Sequence, residues 1–191
     1  MAMNRLCSVL VLAVAASASA AHAQGIEEKA QICAPCHGDN GTPPAQPFPV
    51  PVIWGQNLGY LFFQLRDFRS GARASDQMTA VAAALASDDL MPLAQYFAKK
   101  PWPSLAQPRP AADVATLAQR INASAGCAGC HQPEFKGGTQ PRLAGQVRAY
   151  LQKTMKDFQT GARANNPAMS GLTKGLTDHD FAALASWLAG M

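Results

Sequence analysis

A five-residue pattern of two cysteines and a histidine occurs twice in this chain of 191 residues. The first copy runs from Cys33 to His37 and the second from Cys127 to His131. Two thiols separated by two residues and followed at once by an imidazole are the attachment signature of c-type haem. On one helical turn the thiols face the two vinyl groups of a porphyrin, and the next residue directs its imidazole at the iron. The pattern therefore predicts two covalently bound haem c groups, with four attachment cysteines and two iron-ligating histidines: Cys33, Cys36, Cys127, Cys130, His37 and His131.

The N-terminus has the pattern of a secretory signal peptide, which we predict for residues 1–23. Arg5 supplies a positive charge, a nearly unbroken apolar run follows, and small residues precede Gln24. The apolar run is too short to span a membrane as a helix. We therefore expect cleavage before Gln24 and export to the periplasm.

Removal of the signal peptide also removes Cys7, so that all four remaining cysteines belong to the two motifs. Cysteine pairs of this spacing in an exported protein also suit redox disulfides, and two such pairs suit a four-thiolate zinc site. Neither alternative needs a histidine after each pair. Haem attachment accounts for every residue of both motifs.

The two halves of the mature chain repeat each other over most of their length. The segment from Pro51 to Gln56 returns as the segment from Pro141 to Gln146, and other matched positions follow at the same spacing. A repeat of this length indicates a duplicated domain. We predict domain 1 at residues 24–98, a proline-rich linker at 99–112 and domain 2 at 113–191. Each domain is small for a stable core, and a covalent haem would add apolar mass.

Each half contains several segments with helical spacing of apolar residues and no segment with the alternation of a half-buried strand. The sequence therefore predicts an all-α fold of two tandem domains. A helix is expected from about Asn57 to Ser70 with Gly71 as its cap, a short helix after Met78 and a last helix from Ser87. The second half repeats this order.

Met78 and Met169 are the predicted second axial ligands of the two irons. Each lies about forty residues after its haem histidine, at equivalent places of the repeat. A lone methionine is usually a core filler, but two at equivalent positions favour ligation. The other candidates lack this equivalence and are expected to pack or to lie on the surface: Met91, Met155, Met191 and His179.

Arg73 and Arg163 also occupy equivalent places, each shortly after a glycine that ends a predicted helix. A cation near a helix C-terminus is favourable, which gives one interpretation. A bond to a haem propionate gives the other.

These features together resemble the dihaem cytochrome c4 family, in which two class I cytochrome c domains are joined head to head. The resemblance covers the whole mature chain and rests on both haem motifs, the two Gly-Gln segments, the two arginines and the paired methionines. It implies a soluble protein that shuttles electrons in the bacterial periplasm, often towards terminal oxidases.

The expected function is single-electron transfer between a donor and an acceptor, in transient contact with membrane complexes. A quinol-oxidising complex or a dehydrogenase would be the donor, and a terminal oxidase would be the acceptor. With histidine and methionine on both irons, substrate has nowhere to bind, so no enzymatic activity is expected. The alternatives are a haem enzyme, either a dihaem peroxidase or a thiosulfate-oxidising cytochrome, and a cytochrome subunit of a dehydrogenase.

The charge distribution predicts how redox partners approach. The formal net charge is only +4, which gives no support to nucleic-acid binding. Residues 24–98 contain four basic and seven acidic residues, whereas residues 113–191 contain eight basic and five acidic ones. We therefore expect an acidic partner to approach domain 2, where Lys153 and Lys156 are candidate docking residues.

Overall fold

A computed structural model describes residues 25–191, and all regular secondary structure in that range is helical. This confirms the predicted all-α fold, while the predicted signal peptide lies outside the described residues. The first half contains helices α1 (residues 25–30), α2 (Ala34–His37), α3 (Leu58–Ser70), α4 (Asp76–Ala84) and α5 (Leu90–Ala98). The second half contains α6 (Ala112–Ala125), α7 (Cys127–His131), α8 (Arg148–Thr160), α9 (Pro167–Thr173) and α10 (Asp178–Ala189). No helix within residues 25–191 has the length and apolar character needed to cross a membrane.

The long helix of each half has the predicted bounds. Asn57 caps α3 by accepting a hydrogen bond from Tyr60 N at 2.8 Å, and Gly71 ends the helix with a φ of 78°. Gly161 ends α8 with the same φ. Glycine adopts this left-handed conformation without steric cost, which explains its place at both helix ends.

The two methionines lie inside the short helices, so the prediction that each short helix follows its methionine is wrong. Ser75 accepts a hydrogen bond from Met78 N at 3.3 Å, and Asn166 accepts one from Met169 N at 3.2 Å. Both side chains are N-caps, so α4 and α9 begin before the methionine. Each methionine is thereby fixed in a first helical turn.

The start of the last helix differs between the halves. Thr177 caps α10 in a reciprocal capping box with Asp180, as a threonine at this position predicts. Ser87 does not cap α5, because its hydroxyl accepts a hydrogen bond from Arg69 instead. Residues Ser87–Asp89 form a 3₁₀ turn, and the α-helix begins only at Leu90.

Each half has its own core. In the first, α3 packs against α5 and α4, and Leu61, Leu93 and Ala94 are buried together. In the second, α10 packs against both α6 and α8, and Leu184 and Leu188 are buried beside them. In each half the long helix of the repeat, α3 or α8, therefore packs against the last helix, α5 or α10.

The proline-rich segment after α5 is extended and contacts both halves. Trp102 lies against Gly55 and Gly145. A β-carbon added at Gly55 would lie 2.9 Å from the backbone nitrogen of Trp102, and one added at Gly145 would lie 3.1 Å from its indole nitrogen. Arg142 stacks on the Trp102 ring at 4.4 Å. The segment therefore holds the halves together as well as connecting them.

Gln132 is a strained residue at the end of the second haem motif. It has φ 67° and ψ 157°, close to the φ 83° and ψ 141° of Gly38 at the equivalent place. This backbone region is almost restricted to glycine, and a residue with a side chain there costs about 1–3 kcal/mol.

We predict that Gln132→Gly raises the free energy of unfolding of the second half by about 1 kcal/mol. Relief of strain exceeds the ~0.4–1 kcal/mol by which glycine stabilises the unfolded chain. Guanidinium denaturation of the haem-loaded protein, followed by haem absorption, measures the change. As the matched control, Gly38→Ala should destabilise the first half, since its β-carbon would lie 2.1 Å from Thr42 O. A lower midpoint for Gln132→Gly would contradict the strain.

Candidate haem sites

A cavity of about 770 Å³, partly open to solvent, extends through both halves of the molecule. All eight site residues predicted from the sequence lie on its wall: Cys33, Cys36, His37, Met78, Cys127, Cys130, His131 and Met169. The fold therefore brings together Cys33, which directly precedes α2, and residues from α2, α4, α7 and α9 that are far apart in sequence.

The wall of the cavity is largely apolar. The first half contributes Leu61, Phe68 and Phe97, and the second contributes Phe158 and Leu188. Such a wall suits a large flat apolar ligand held by a few polar groups. A porphyrin is a ligand of this class.

His37 is buried and held in one orientation. Its side chain is 7% exposed, and Nδ1 lies 2.8 Å from the carbonyl oxygen of Pro51. A carbonyl oxygen only accepts hydrogen bonds, so the ring proton is on Nδ1 and Nε2 keeps its lone pair. Burial lowers the pKa of His37, although the bond to Pro51 acts in the opposite direction. The ring is therefore a neutral imidazole with one free nitrogen, as an iron ligand must be.

His131 has the same arrangement in the second half. It is also 7% exposed, and Nδ1 lies 3.0 Å from the carbonyl oxygen of Pro141. Burial lowers its pKa, again against the effect of the backbone hydrogen bond. The proline carbonyl is therefore the acceptor for the motif histidine in both halves.

The four motif cysteines form no disulfide bonds with one another in residues 25–191, so both sulfur atoms of each pair are available for thioether attachment. Burial, followed by the nearby Cys36, raises the pKa of Cys33 to about 11, and burial raises the pKa of Cys127. A redox-active cysteine needs a lowered pKa, so these values argue against a thiol–disulfide enzyme. Within residues 25–191 no group of three or more His, Cys, Asp or Glu side chains is arranged to hold a metal ion.

Met78 and Met169 are both partly buried and face the cavity. Met91 and Met191 are 39% and 48% exposed and do not line it. Met155 lines the cavity too, but it packs against both apolar clusters of the second half. Met78 and Met169 therefore share a cavity position that Met91 and Met191 lack, and their ligation of iron stays a prediction.

A cluster of tyrosines and arginines lies where the halves meet, and the sequence did not reveal it. The hydroxyl oxygens of Tyr60 and Tyr150 are 3.4 Å apart. Arg73 donates to Tyr150 at 3.1 Å and to Gln64 at 2.7 Å, while Arg163 donates to Tyr60 at 3.4 Å and to Gln64 at 2.8 Å. The repeated tyrosines and arginines were visible in the sequence, but their crossing between halves was not.

The cluster changes the acidity of its tyrosines. Burial opposes ionisation of Tyr150, but Arg73 and Arg163 outweigh it and lower the pKa to about 7. Burial and the neighbouring Tyr150 raise the pKa of Tyr60. The two arginines therefore favour ionisation of one hydroxyl of the pair.

Both arginines differ from the helix-end cations that one interpretation of the sequence described. Arg163 is only 5% exposed and lies 4.4 Å from the Phe158 ring centre, and Arg73 lies 4.5 Å from that of Phe68. Each arginine stacks on an aromatic ring of the helix that precedes it and points into the domain interface. Each lines the cavity, so a propionate remains within the chemistry that they offer.

Two buried glutamines connect the halves reciprocally. Gln146 accepts from Val52 N at 2.8 Å and donates to Val52 O at 3.0 Å. Gln56 accepts from Arg142 N at 2.7 Å and donates to Arg142 O at 3.0 Å. The interface therefore has an approximate twofold symmetry that follows from the repeat.

Comparison with known proteins agrees with this arrangement. Residues 115–191 match the Cytochrome c family. The chain is 33% identical to a cytochrome c4 of Pseudomonas aeruginosa, with 99% of this chain and 100% of that protein covered. The chain belongs to the cytochrome c4 family.

Two further proteins are similar to this chain over most of its length. The crystal structure of reduced cytochrome c4 from Pseudomonas stutzeri superposes with a TM-score of 0.77 at 29% identity, covering 88% of this chain and 98% of that one. A thiosulfate dehydrogenase electron acceptor of Stutzerimonas stutzeri is 29% identical, with 97% of this chain and 94% of that protein covered.

As a member of the cytochrome c4 family, the protein is a dihaem electron-transfer cytochrome with two covalently bound haem c groups. The residues present fit these groups. Two buried imidazoles with a free nitrogen, two thiol pairs beside them and an apolar wall are the donor set that haem c requires.

We predict that the double substitution Cys33→Ser and Cys36→Ser leaves the first half poorly folded while the second half keeps its haem spectrum. Domains of this size bury little apolar surface without a prosthetic group. Amide hydrogen exchange of the full chain should show loss of protection in α3 and α5 but not in α8 and α10. Native-like protection throughout the first half would contradict a folding role for its haem.

Proposed function

We propose that this protein is a periplasmic single-electron carrier with two domains, residues 24–98 and 113–191, joined by the linker at 99–112. The proposed donor is a quinol-oxidising complex or a dehydrogenase, and the proposed acceptor is a terminal oxidase. Export is supported by the signal-peptide pattern of residues 1–23. The observation that carries the proposal is the pairing of one buried histidine with one cavity-facing methionine in each half.

The proposed ligand sets are His37 with Met78 and His131 with Met169. Haem c supplies an iron that takes up and releases one electron, with histidine and methionine ligation giving a high reduction potential. The proline carbonyls fix the imidazoles, and the N-caps of α4 and α9 fix the methionines. A site whose ligands are held so firmly changes little when an electron arrives, which favours fast transfer.

The thiols of Cys33, Cys36, Cys127 and Cys130 are proposed to form the thioether attachments. Their raised pKa values keep Cys33 and Cys127 protonated and unreactive towards other partners. Attachment then depends on the motif spacing, which holds both thiols on one turn next to the ligating histidine.

Complete axial ligation favours a carrier over the haem enzymes considered from the sequence. A dihaem peroxidase or a thiosulfate-oxidising cytochrome needs an iron with an open or labile position. The paired methionines on α4 and α9 fill both positions in this proposal. They therefore leave no place for substrate.

A second candidate function is that of the cytochrome partner of a dehydrogenase. It is favoured by the similarity to thiosulfate dehydrogenase electron acceptors, which extends along 97% of this chain. Such a partner stays bound to one dedicated enzyme, whereas the proposed carrier leaves its donor after each electron. Rapid-mixing reduction at increasing concentrations of a dehydrogenase separates the two candidates, because the rate rises with donor concentration for a free carrier and does not for a subunit within a stable complex.

The structure offers little support for Lys153 and Lys156 as docking residues for an acidic partner. Lys153 pairs with Asp157 at 2.5 Å, and Lys156 pairs with Asp178 at 2.6 Å. The charges of both lysines are therefore largely offset, so they are weak candidates for binding an acidic partner. The excess of basic residues in the second half remains, and it favours approach of an acidic surface to that half at low salt.

We predict that Met78→Ala and Met169→Ala each convert one haem to a high-spin form that binds carbon monoxide. The wild-type reduced protein should bind none, because both axial positions are filled. Each variant should also lose about half of the sulfur-to-iron charge-transfer absorption, in proportion to one haem of two.

Met91→Ala is the matched control, since Met91 is exposed and does not line the cavity. It should behave as wild type. Carbon monoxide binding by the wild-type protein would favour the enzymatic alternative, and an unchanged charge-transfer band in both variants would refute the ligand assignment.

A further inference from the structure

The peptide group between Pro51 and Val52 is hydrogen-bonded on both sides. Its carbonyl oxygen accepts from His37 Nδ1 at 2.8 Å, and its N–H donates to Gln146 Oε1 at 2.8 Å. Gln146 belongs to the other half of the molecule and is only 2% exposed. One peptide group thus lies between the histidine of the first half and a glutamine of the second.

The peptide group between Pro141 and Arg142 has the equivalent arrangement, related by the approximate twofold symmetry. Its carbonyl oxygen accepts from His131 Nδ1 at 3.0 Å, and its N–H donates to Gln56 Oε1 at 2.7 Å. Gln56 is 4% exposed and comes from the first half. The two connections therefore cross the domain interface in opposite directions.

Hydrogen bonds that share a peptide group strengthen each other. An acceptor at the N–H draws the proton towards itself and leaves more negative charge on the carbonyl oxygen of the same group. That oxygen then binds the imidazole N–H more strongly, which makes the other ring nitrogen a better donor to a metal. A stronger donor stabilises the ferric over the ferrous state and lowers the reduction potential.

The glutamines also limit how the histidines can turn. Each amide holds both the N–H and the C=O of the residue that follows the proline. The proline carbonyl is therefore fixed relative to the opposite half, and the imidazole follows it. Orientation and donor strength depend on the same contact.

We propose that Gln146 and Gln56 are positioning residues, each of which sets the reduction potential of the haem in the opposite domain through the proline–histidine hydrogen bond. This inference rests on the proposed ligation by His37 and His131. It goes further by making each haem sensitive to the other domain, so that any partner that loosens the domain interface changes both potentials.

The test is Gln146→Met in the full-length, haem-loaded protein. Loss of the acceptor should raise the potential of the first haem and leave the second unchanged. We expect at least a threefold higher ratio of reduced to oxidised first haem at a fixed electrode potential, which is about 28 mV for a one-electron couple. Spectroelectrochemistry gives the potentials, and NMR of the haem methyl groups assigns each to its domain.

Gln56→Met should give the opposite pattern, with only the second haem shifted. Gln107→Met is the matched control, because Gln107 binds the backbone of Gln146 and Arg148 but neither proline peptide group. It should shift neither haem. Gln146→Glu keeps a side-chain oxygen of the same reach and should bring the first potential back to the wild-type value or below it.

A purely structural role predicts different results. Gln146→Met would then shift the haem of its own domain, shift both equally or shift neither, and each of these outcomes overturns the proposal. If Gln146→Met fails to bind haem, Gln146→Asn provides the comparison, since its shorter amide cannot span the distance and should also raise the first potential alone. A wrong ligand assignment would be seen separately, because the wild-type protein would then show no low-spin haem spectrum.

Discussion

The hydrogen bond from each motif histidine to a proline carbonyl is the contact on which the haem sites depend. It places the ring proton on Nδ1 and leaves Nε2 free at the cavity wall, while burial keeps the ring neutral. The repeat supplies the proline at the same place in both halves, and the glycine and glutamine that follow return the chain to the long helix. A change at the proline segment therefore affects the site, the helix start and the domain interface together.

The domain interface is the second main feature of the structure, and it is largely polar. Glutamine-to-backbone pairs, a tyrosine pair and two arginines join the halves, with the linker tryptophan packed across them. Polar contacts of this kind require defined geometry, because an unpaired buried group is costly. A fixed relation between the two halves suits a protein that transfers electrons between two haem groups.

The sequence predicted those features that depend on local spacing. The motif cysteines and histidines, the paired methionines and the bounds of α3 follow from short patterns, and the duplication made each pattern visible twice. The crossing of Gln56 and Gln146 was not predictable, since each amide binds the backbone of a distant segment rather than a recognisable side chain. The partners of Arg73 and Arg163 were not predictable for a related reason, because they belong to the opposite half or to the preceding helix. Ser87 failed as an N-cap because Arg69, a neighbour only in the fold, takes its hydroxyl.

Both motif histidines are held with Nδ1 protonated towards a proline carbonyl, and we propose that Nε2 of each binds iron. Nitrogen-15 NMR of the reduced, histidine-labelled protein tests it most directly, with the exposed His179 on α10 as the reference for a solvent-accessible ring. We predict two imidazoles with a slowly exchanging Nδ1 proton and no change of protonation between pH 5 and pH 8. A motif histidine that titrates in this range, or one that has its proton on Nε2, would contradict the account.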